Sequence, residues 1–328
     1  MEWDIIGHEW AVKLLAEHGA QGRVRHAYLI TGPQGVGRRT LALRLAQSLN
    51  CPQPQGAGQP CRTCRTCGQI ERMQYPDLTI VQAEQRGGTL KVDQIRELQR
   101  SLALAPYEAR YRVAVLLHFE EANPSAANAL LKTLEEPAPQ VVLILTADSA
   151  ESLLPTIVSR CEVLRLRPLP LEQVSQWLES RWGLPIEQAR LLAHISTGRP
   201  GYALRLHQEP ERLEQRRVWL DEHYRLLAAS RVKRFAFAES ISKNKENLRE
   251  ALTVWLMYWR DVLLRAAGSS SPLANLDREE EIENLAARCG LEPAHCTVAA
   301  IERTLRLLER NANTRLASEV LMLDLPRL

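Results

Sequence analysis

The sequence of 328 residues is poor in several features that would each have narrowed its class at once. It has no stretch of ~18 uncharged apolar residues, so no membrane-spanning helix is expected. It has no strong excess of either charge: the formal net charge is +3. Only clustered basic charge would point to nucleic acid, so this small imbalance decides nothing. It has no internal repeats and no long low-complexity tract. The opening residues Met1-Glu2-Trp3-Asp4 are acidic and lead into no apolar run. No signal peptide is therefore expected, and the cytoplasm is the expected location. What remains is an ordinary globular composition, 45% hydrophobic and 25% charged, which predicts a packed core rather than bulk disorder. The length suits two or three domains at roughly 100–200 residues each.

Apolar periodicity orders the first half of the chain. Trp10, Ala11, Leu14 and Leu15 repeat at helical spacing, and Ala27-Tyr28-Leu29-Ile30-Thr31 reads as a buried strand ending at a glycine-rich turn. Residues 38–49 read as the helix that follows. Further strands are predicted over 78–81, 113–117 and 141–145, with helices over 92–102 and 125–134 between them. Strands alternating with helices predict a mostly parallel α/β sheet. After Leu166 the strand signals fade. Short helices are predicted over 171–207, broken at Gly183 and at Gly198-Arg199-Pro200-Gly201, and a helical pattern runs from about 210 to the end, interrupted by the polar loop Gly268-Ser269-Ser270-Ser271-Pro272.

Gly32-Pro33-Gln34-Gly35-Val36-Gly37-Arg38-Arg39-Thr40 lies between a predicted strand and a predicted helix. That is the context of a P-loop, whose backbone N–H groups cradle phosphates at a helix N-terminus. The full pattern asks for Lys and then Ser or Thr after Gly37; this chain has Arg38 and Arg39. Arg38 keeps the charge but not the compact ammonium. Arg39 cannot supply the hydroxyl that ligates Mg²⁺. Thr40 comes one residue late, ~100° around the helix from the required position.

Four of the seven cysteines, Cys51, Cys61, Cys64 and Cys67, fall in one short segment. In a chain without export signals this clustering reads as metal ligation rather than disulfides. Four thiolates suit one tetrahedral structural Zn²⁺ per chain and leave no open position for catalysis. Cys161, Cys289 and Cys296 are isolated and read as ordinary buried thiols.

These features together resemble a known family. A degenerate P-loop followed about a dozen residues later by a four-cysteine module is similar to bacterial DNA polymerase III clamp-loader subunits. The match extends to Asn128-Ala129-Leu130-Leu131-Lys132-Thr133-Leu134-Glu135-Glu136-Pro137, to Ser159-Arg160-Cys161, to Ile6-Gly7-His8, to His26-Ala27-Tyr28-Leu29, and to the tail Asn311-Ala312-Asn313-Thr314-Arg315-Leu316-Ala317. Counting back from Asn128 places Leu117 and His118 where the family's two Walker B acids stand; Glu120 and Glu121, past the strand, read as solvated charges. The sensor-2 arginine would be expected at Gly201. In these positions the chain resembles the delta-prime type rather than the ATP-hydrolysing gamma/tau type.

The resemblance implies an AAA+ α/β module over 1–166 with an inserted zinc module at 51–67, a small helical lid over 167–207, and an all-α collar over 208–328. It implies assembly with gamma/tau and delta subunits into a hetero-pentamer that serves the sliding clamp and lets primer-template DNA pass. The degenerate loop Gly32, Gly35, Gly37, Arg38, Arg39 and Thr40 would not hold ATP. Arg160 would be an arginine finger offered in trans to ATP on a neighbouring gamma/tau subunit. Two rivals stand beside this reading. One is an ATP-hydrolysing gamma/tau-like subunit. The other is a DNA-binding zinc protein using the arginines near 212–217 and 231–234, which the interleaved acids make more simply a solvated face. Trp255, Tyr258 and Trp259 read as core or subunit contact rather than a stacking platform, and His194 as packed.

Overall fold

The computed structural model describes residues 2–85, 87–310 and 312–327; Met1 and Asn311, the first residue of the tail match, lie outside them. The chain separates into two compact units, Met1–Trp177 with Gly198–Tyr202, and Leu178–Thr197 with Ala203–Leu328.

The first unit holds, in order, α1 (Glu9–Ala20), β1 (Ala27–Thr31), α2 (Arg38–Asn50), α3 (Arg65–Glu71), β2 (Leu78–Val81), α4 (Val92–Leu102), β3 (Arg112–Leu116), α5 (Pro124–Glu135), β4 (Val141–Ala147), α6 (Pro155–Val158) and β5 (Glu162–Arg165). Among the described residues the five strands form one sheet in the order β2-β3-β4-β1-β5, and every pairing is parallel. Side chains alternate across it, as the pleat requires. Tyr28, Ile30, Val113 and Val115 point to the side covered by α1, α2 and α3. Ala27, Leu29, Ala114 and Leu116 point to the side covered by α4 and α5. Burial on both faces explains the uninterrupted apolar runs of β1, β3 and β4.

The predicted strands and helices of this unit recur, with ends moved by one or two residues. Three elements were not legible. The strand β5 is an edge strand in which only Leu164 is fully buried, so its charged neighbours mask the pattern. The helix α3 starts at Cys64, whose Sγ accepts from the N–H of Cys67, and cysteine gives no helix-start signal. The one-turn helix α6 is too short to show a period.

The short helices expected over 171–207 are α7 (Leu171–Trp182), α8 (Ile186–Ile195) and α9 (Pro200–Gln208). Then follow α10 (Pro210–Leu227), α11 (Arg231–Ile241), α12 (Lys245–Ala266), α13 (Glu279–Cys289), α14 (Leu291–Glu309) and α15 (Thr314–Asp324). The second unit packs around α12, with Trp255, Tyr258 and Trp259 at its core and all but sealed from solvent. His223 is buried among them and accepts from Trp259 Nε1 at 2.6 Å; burial pulls its imidazole down to about 3, so it is neutral. His194 is tied to the Leu273 carbonyl at 2.6 Å.

Four of the arginines of α10 and α11 are held within the chain. Arg216 grips Asp277 and Asn275. Arg234 is buried and donates to the carbonyls of Leu226, Leu227, Met322, Leu325 and Pro326. Arg212 pairs with Glu209 and Arg217 with Glu214. Among the isolated cysteines, Cys161 and Cys289 are half-buried as thiols, but Cys296 is exposed, contrary to expectation, on α14.

Candidate functional site

The loop between β1 and α2 has the backbone of a phosphate loop. Gly32, Gly35 and Gly37 all take positive φ (143°, 86° and 115°), a region that costs glycine little. Around this backbone, however, the side chains are committed elsewhere. Arg38, in the lysine position, is only 5% exposed and its Nη2 lies 2.8 Å from Asp148, just past β4. Arg39 points outward and reaches the Met73 sulfur at 3.2 Å, and Thr40 is exposed.

The neighbouring strand end completes the picture. Leu117 is buried, 5% exposed. His118 adopts the left-handed conformation (φ 54°, ψ 52°), and its N–H donates to Thr146 Oγ1 at 3.0 Å. Its Nδ1 lies 3.4 Å from Glu120. Glu120 is not the solvated charge the sequence suggests: its side chain is 19% exposed. Burial pushes its carboxyl up, but the bond to His118 and the positive Arg38 outweigh this and hold it below the usual range. His118, Glu120 and Asp148 bring their ligating atoms within 4.8 Å of one another. Arg38 lies in the same cluster, so a guanidinium already supplies the positive charge there.

The loop is also closed from another direction. The Gly201 N–H, at the start of α9, donates to the Gly35 carbonyl at 2.8 Å. A side chain at Gly201 would begin 2.9 Å from that oxygen, and one at Gly35 would begin 2.8 Å from Tyr202. Glycine is needed at both places because backbone meets backbone. The position where a sensor-2 arginine is expected thus has no room for one.

At the other end of α2 the four cysteines come together. Cys51 caps the helix, Cys61 follows the excursion 52–60, and Cys64 and Cys67 open α3. Their sulfurs lie within 4.8 Å of one another, a cluster that could hold a metal ion. The Cys64 N–H points at Cys61 Sγ (3.4 Å) and the Cys61 N–H at Cys51 Sγ (3.3 Å). The Cys64 N–H pulls the Cys61 thiol down to about 6, while burial pushes Cys51 and Cys67 up. N–H groups aimed at sulfur favour thiolate, the form that binds metal.

Sequence reasoning missed the frame around this cluster. Arg44 is buried on α2 and donates to the Trp3 carbonyl (2.9 Å), to Gln47 (2.9 Å) and to Glu71 of α3. Gln47 donates to the Cys67 carbonyl at 2.8 Å. Trp3 Nε1 and Ser48 Oγ both donate to the Gly58 carbonyl, at 3.0 and 2.7 Å. Polar residues within the apolar run Leu41–Leu49, which has only Ser48 besides them, were the signal available for Arg44 and Gln47.

Arg160 sits immediately after α6, one third of its side chain exposed. Its Nη1 donates to the Thr156 carbonyl at 2.8 Å, and its Nη2 to Glu135 at 2.6 Å.

Comparison with known proteins gives the following. Residues 7–170 match the family model described as DNA polymerase III, delta subunit, and residues 210–326 the model described as DNA polymerase III, delta subunit, C terminal. The delta' subunit of DNA polymerase III from Bacillus subtilis is 30% identical over 318 residues, 96% of this chain and 94% of that protein. The delta' subunit from Pseudomonas aeruginosa is 36% identical over 215 residues, 64% of each. The tau subunit from Escherichia coli is 36% identical over 176 residues, 54% of this chain and 27% of that protein.

Proposed function

This chain belongs to the DNA polymerase III clamp-loader subunits of the delta-prime type, and from that premise we propose that it is a non-hydrolysing AAA+ subunit that supplies Arg160 to ATP held by a neighbouring gamma/tau subunit. It acts within a hetero-pentamer of gamma/tau and delta that helps load the sliding clamp onto primed DNA. Its AAA+ module, helical lid and helical collar divide near residues 166 and 207.

The observation that carries this reading is Arg38. In the lysine position of the loop, it is only 5% exposed and paired with Asp148 at 2.8 Å, so its guanidinium is held inside the chain rather than presented at the surface as that of Arg160 is. Arg39 and Leu117 occupy the places whose oxygens would order Mg²⁺, and His118 the place of the acid that would polarise the attacking water. The residues present do not fit a magnesium nucleotide, and no step of hydrolysis is assigned to this loop. The four cysteines do fit a structural zinc: four sulfurs converge and N–H groups face them. Cys51, Cys61, Cys64 and Cys67 would hold one ion per chain, whose chemistry is to tie the 52–60 excursion and α3 to the end of α2.

An arginine supplied in trans neutralises charge building on the transferred phosphoryl group, and is worth ~10³–10⁵ in rate where it acts in GTPases. Arg160→Ala in the reconstituted loader should leave the chain folded and lower clamp-stimulated ATP turnover at least ~10-fold. Turnover equal to that of the unmodified loader would remove the finger.

A further inference from the structure

Arg160 is held by its own chain at the two terminal nitrogens of its guanidinium. Nη1 donates to the Thr156 carbonyl at 2.8 Å, with Ser159 Oγ at 3.5 Å, and Nη2 to Glu135 Oε1 at 2.6 Å. Glu135 is the last residue of α5. A carboxylate there faces the negative end of its own helix, so the helix gains nothing from an acid at that position. The partner it does have is Arg160, 25 residues away in sequence.

The guanidinium is a rigid planar fork with five N–H donors. Thr156 and Glu135 take up donors on the terminal nitrogens. Among the described residues Nε makes no hydrogen bond, and 34% of the side chain is exposed. The grip therefore fixes the plane of the group and leaves the Nε–H for a phosphate. An unheld arginine would sample many rotamers, and a group misplaced by ~1 Å can lose ~10²-fold in rate.

We propose that Glu135 is the positioning residue for Arg160: it touches no substrate, but it orients the guanidinium that a neighbouring subunit's nucleotide meets. This rests on the arginine-finger reading above. Both side chains are partly solvated, so the pair contributes little to folding, and its removal can be read as a change in geometry rather than in stability.

The test uses the reconstituted loader with four forms of this chain: Glu135→Gln, Glu135→Asp, Arg160→Ala, and Glu135→Gln with Arg160→Ala. Glu135→Gln should lower kcat for clamp-stimulated ATP turnover about 10-fold with KM for ATP unchanged. Glu135→Asp, which keeps the charge, should recover part of the loss. The double variant should turn over no more slowly than Arg160→Ala alone, because one residue acts through the other. Turnover in Glu135→Gln at or above the unmodified rate, while Arg160→Ala is slow, would overturn the positioning role and leave the finger standing. Losses that multiply in the double variant would overturn it too. An unimpaired Arg160→Ala would remove the finger and this proposal together.

Discussion

The two ends of α2 carry two sites with opposite fates. At the N-terminal end the backbone of a phosphate loop is present but its side chains are not those that order a magnesium nucleotide: three positive-φ glycines stand there, and Arg38 is buried against Asp148. At the C-terminal end the backbone follows no ready-made motif, yet the chemistry is whole: four sulfurs converge with N–H groups aimed at them. A loop of this kind can be held in place by packing alone, whether or not it binds. Gly35 and Gly201 are pressed together by their backbones, and that contact needs the glycines whether or not a nucleotide is held. The cysteines have no such second use, since among the described residues they form no disulfide and three of the four are only half-buried.

The most damaging blow to this contrast would fall on the cysteine end. Cys67→Ser, at the one fully buried cysteine of the four, should abolish metal retention and cost on the order of 4 kcal/mol, in the range of losing a structural metal. Elemental analysis should find one zinc in the unmodified chain and none in the variant, with a matching fall in the denaturation midpoint. A metal-free chain that is fully folded would make the two ends alike, both of them relics.

Much of this was legible in the sequence, and the reason is locality. The strand, the glycines and the helix after them are neighbours in the chain, as are Cys61, Cys64 and Cys67. The partners that give the sites their character are not. Asp148 lies at the end of β4, far along the sequence from Arg38. Glu120 reads as a surface acid until the turn at His118 folds it inward. Glu135 belongs to a motif already singled out, but nothing in its spacing aims it at Arg160. The purpose of the 52–60 excursion was likewise hidden, because Gly58 is fixed by Trp3 and Ser48 from outside the module.

A smaller effect should sharpen the contrast at that excursion. Trp3→Phe keeps an aromatic ring in the core but removes the Nε1–H that donates to Gly58, together with part of the buried indole's volume. The loss should be about 1 kcal/mol for the bond, with a further cost for the buried ring volume removed. It should be felt locally: hydrogen exchange should rise over 52–60 and leave β1 and β4 unchanged. Protection unaltered in the excursion would mean that the metal alone holds the loop, and that the N-terminal segment is a passenger.

The smallest effect is expected from repairing the other end. Arg38→Lys with Arg39→Thr restores the lysine and the hydroxyl of a working phosphate loop. Equilibrium binding to the chain should nevertheless show no saturable uptake of Mg-ATP up to millimolar concentration, in either the repaired or the unmodified form. The repaired side chains would still meet Leu117 where an acid should order the metal and His118 where one should polarise the attacking water, and Asp148 would be free to pair with the introduced ammonium as it does with the guanidinium of Arg38. The Gly201 N–H would still occupy the Gly35 carbonyl. Stability should change little, since Asp148 keeps a cationic partner and is itself largely solvated. Tight, Mg²⁺-dependent binding by the repaired chain would mean that two residues alone separate this loop from a working one. The end of α2 that has lost its chemistry would then be a site one step from use, and the packing between Gly35 and Gly201 would have to yield to a nucleotide.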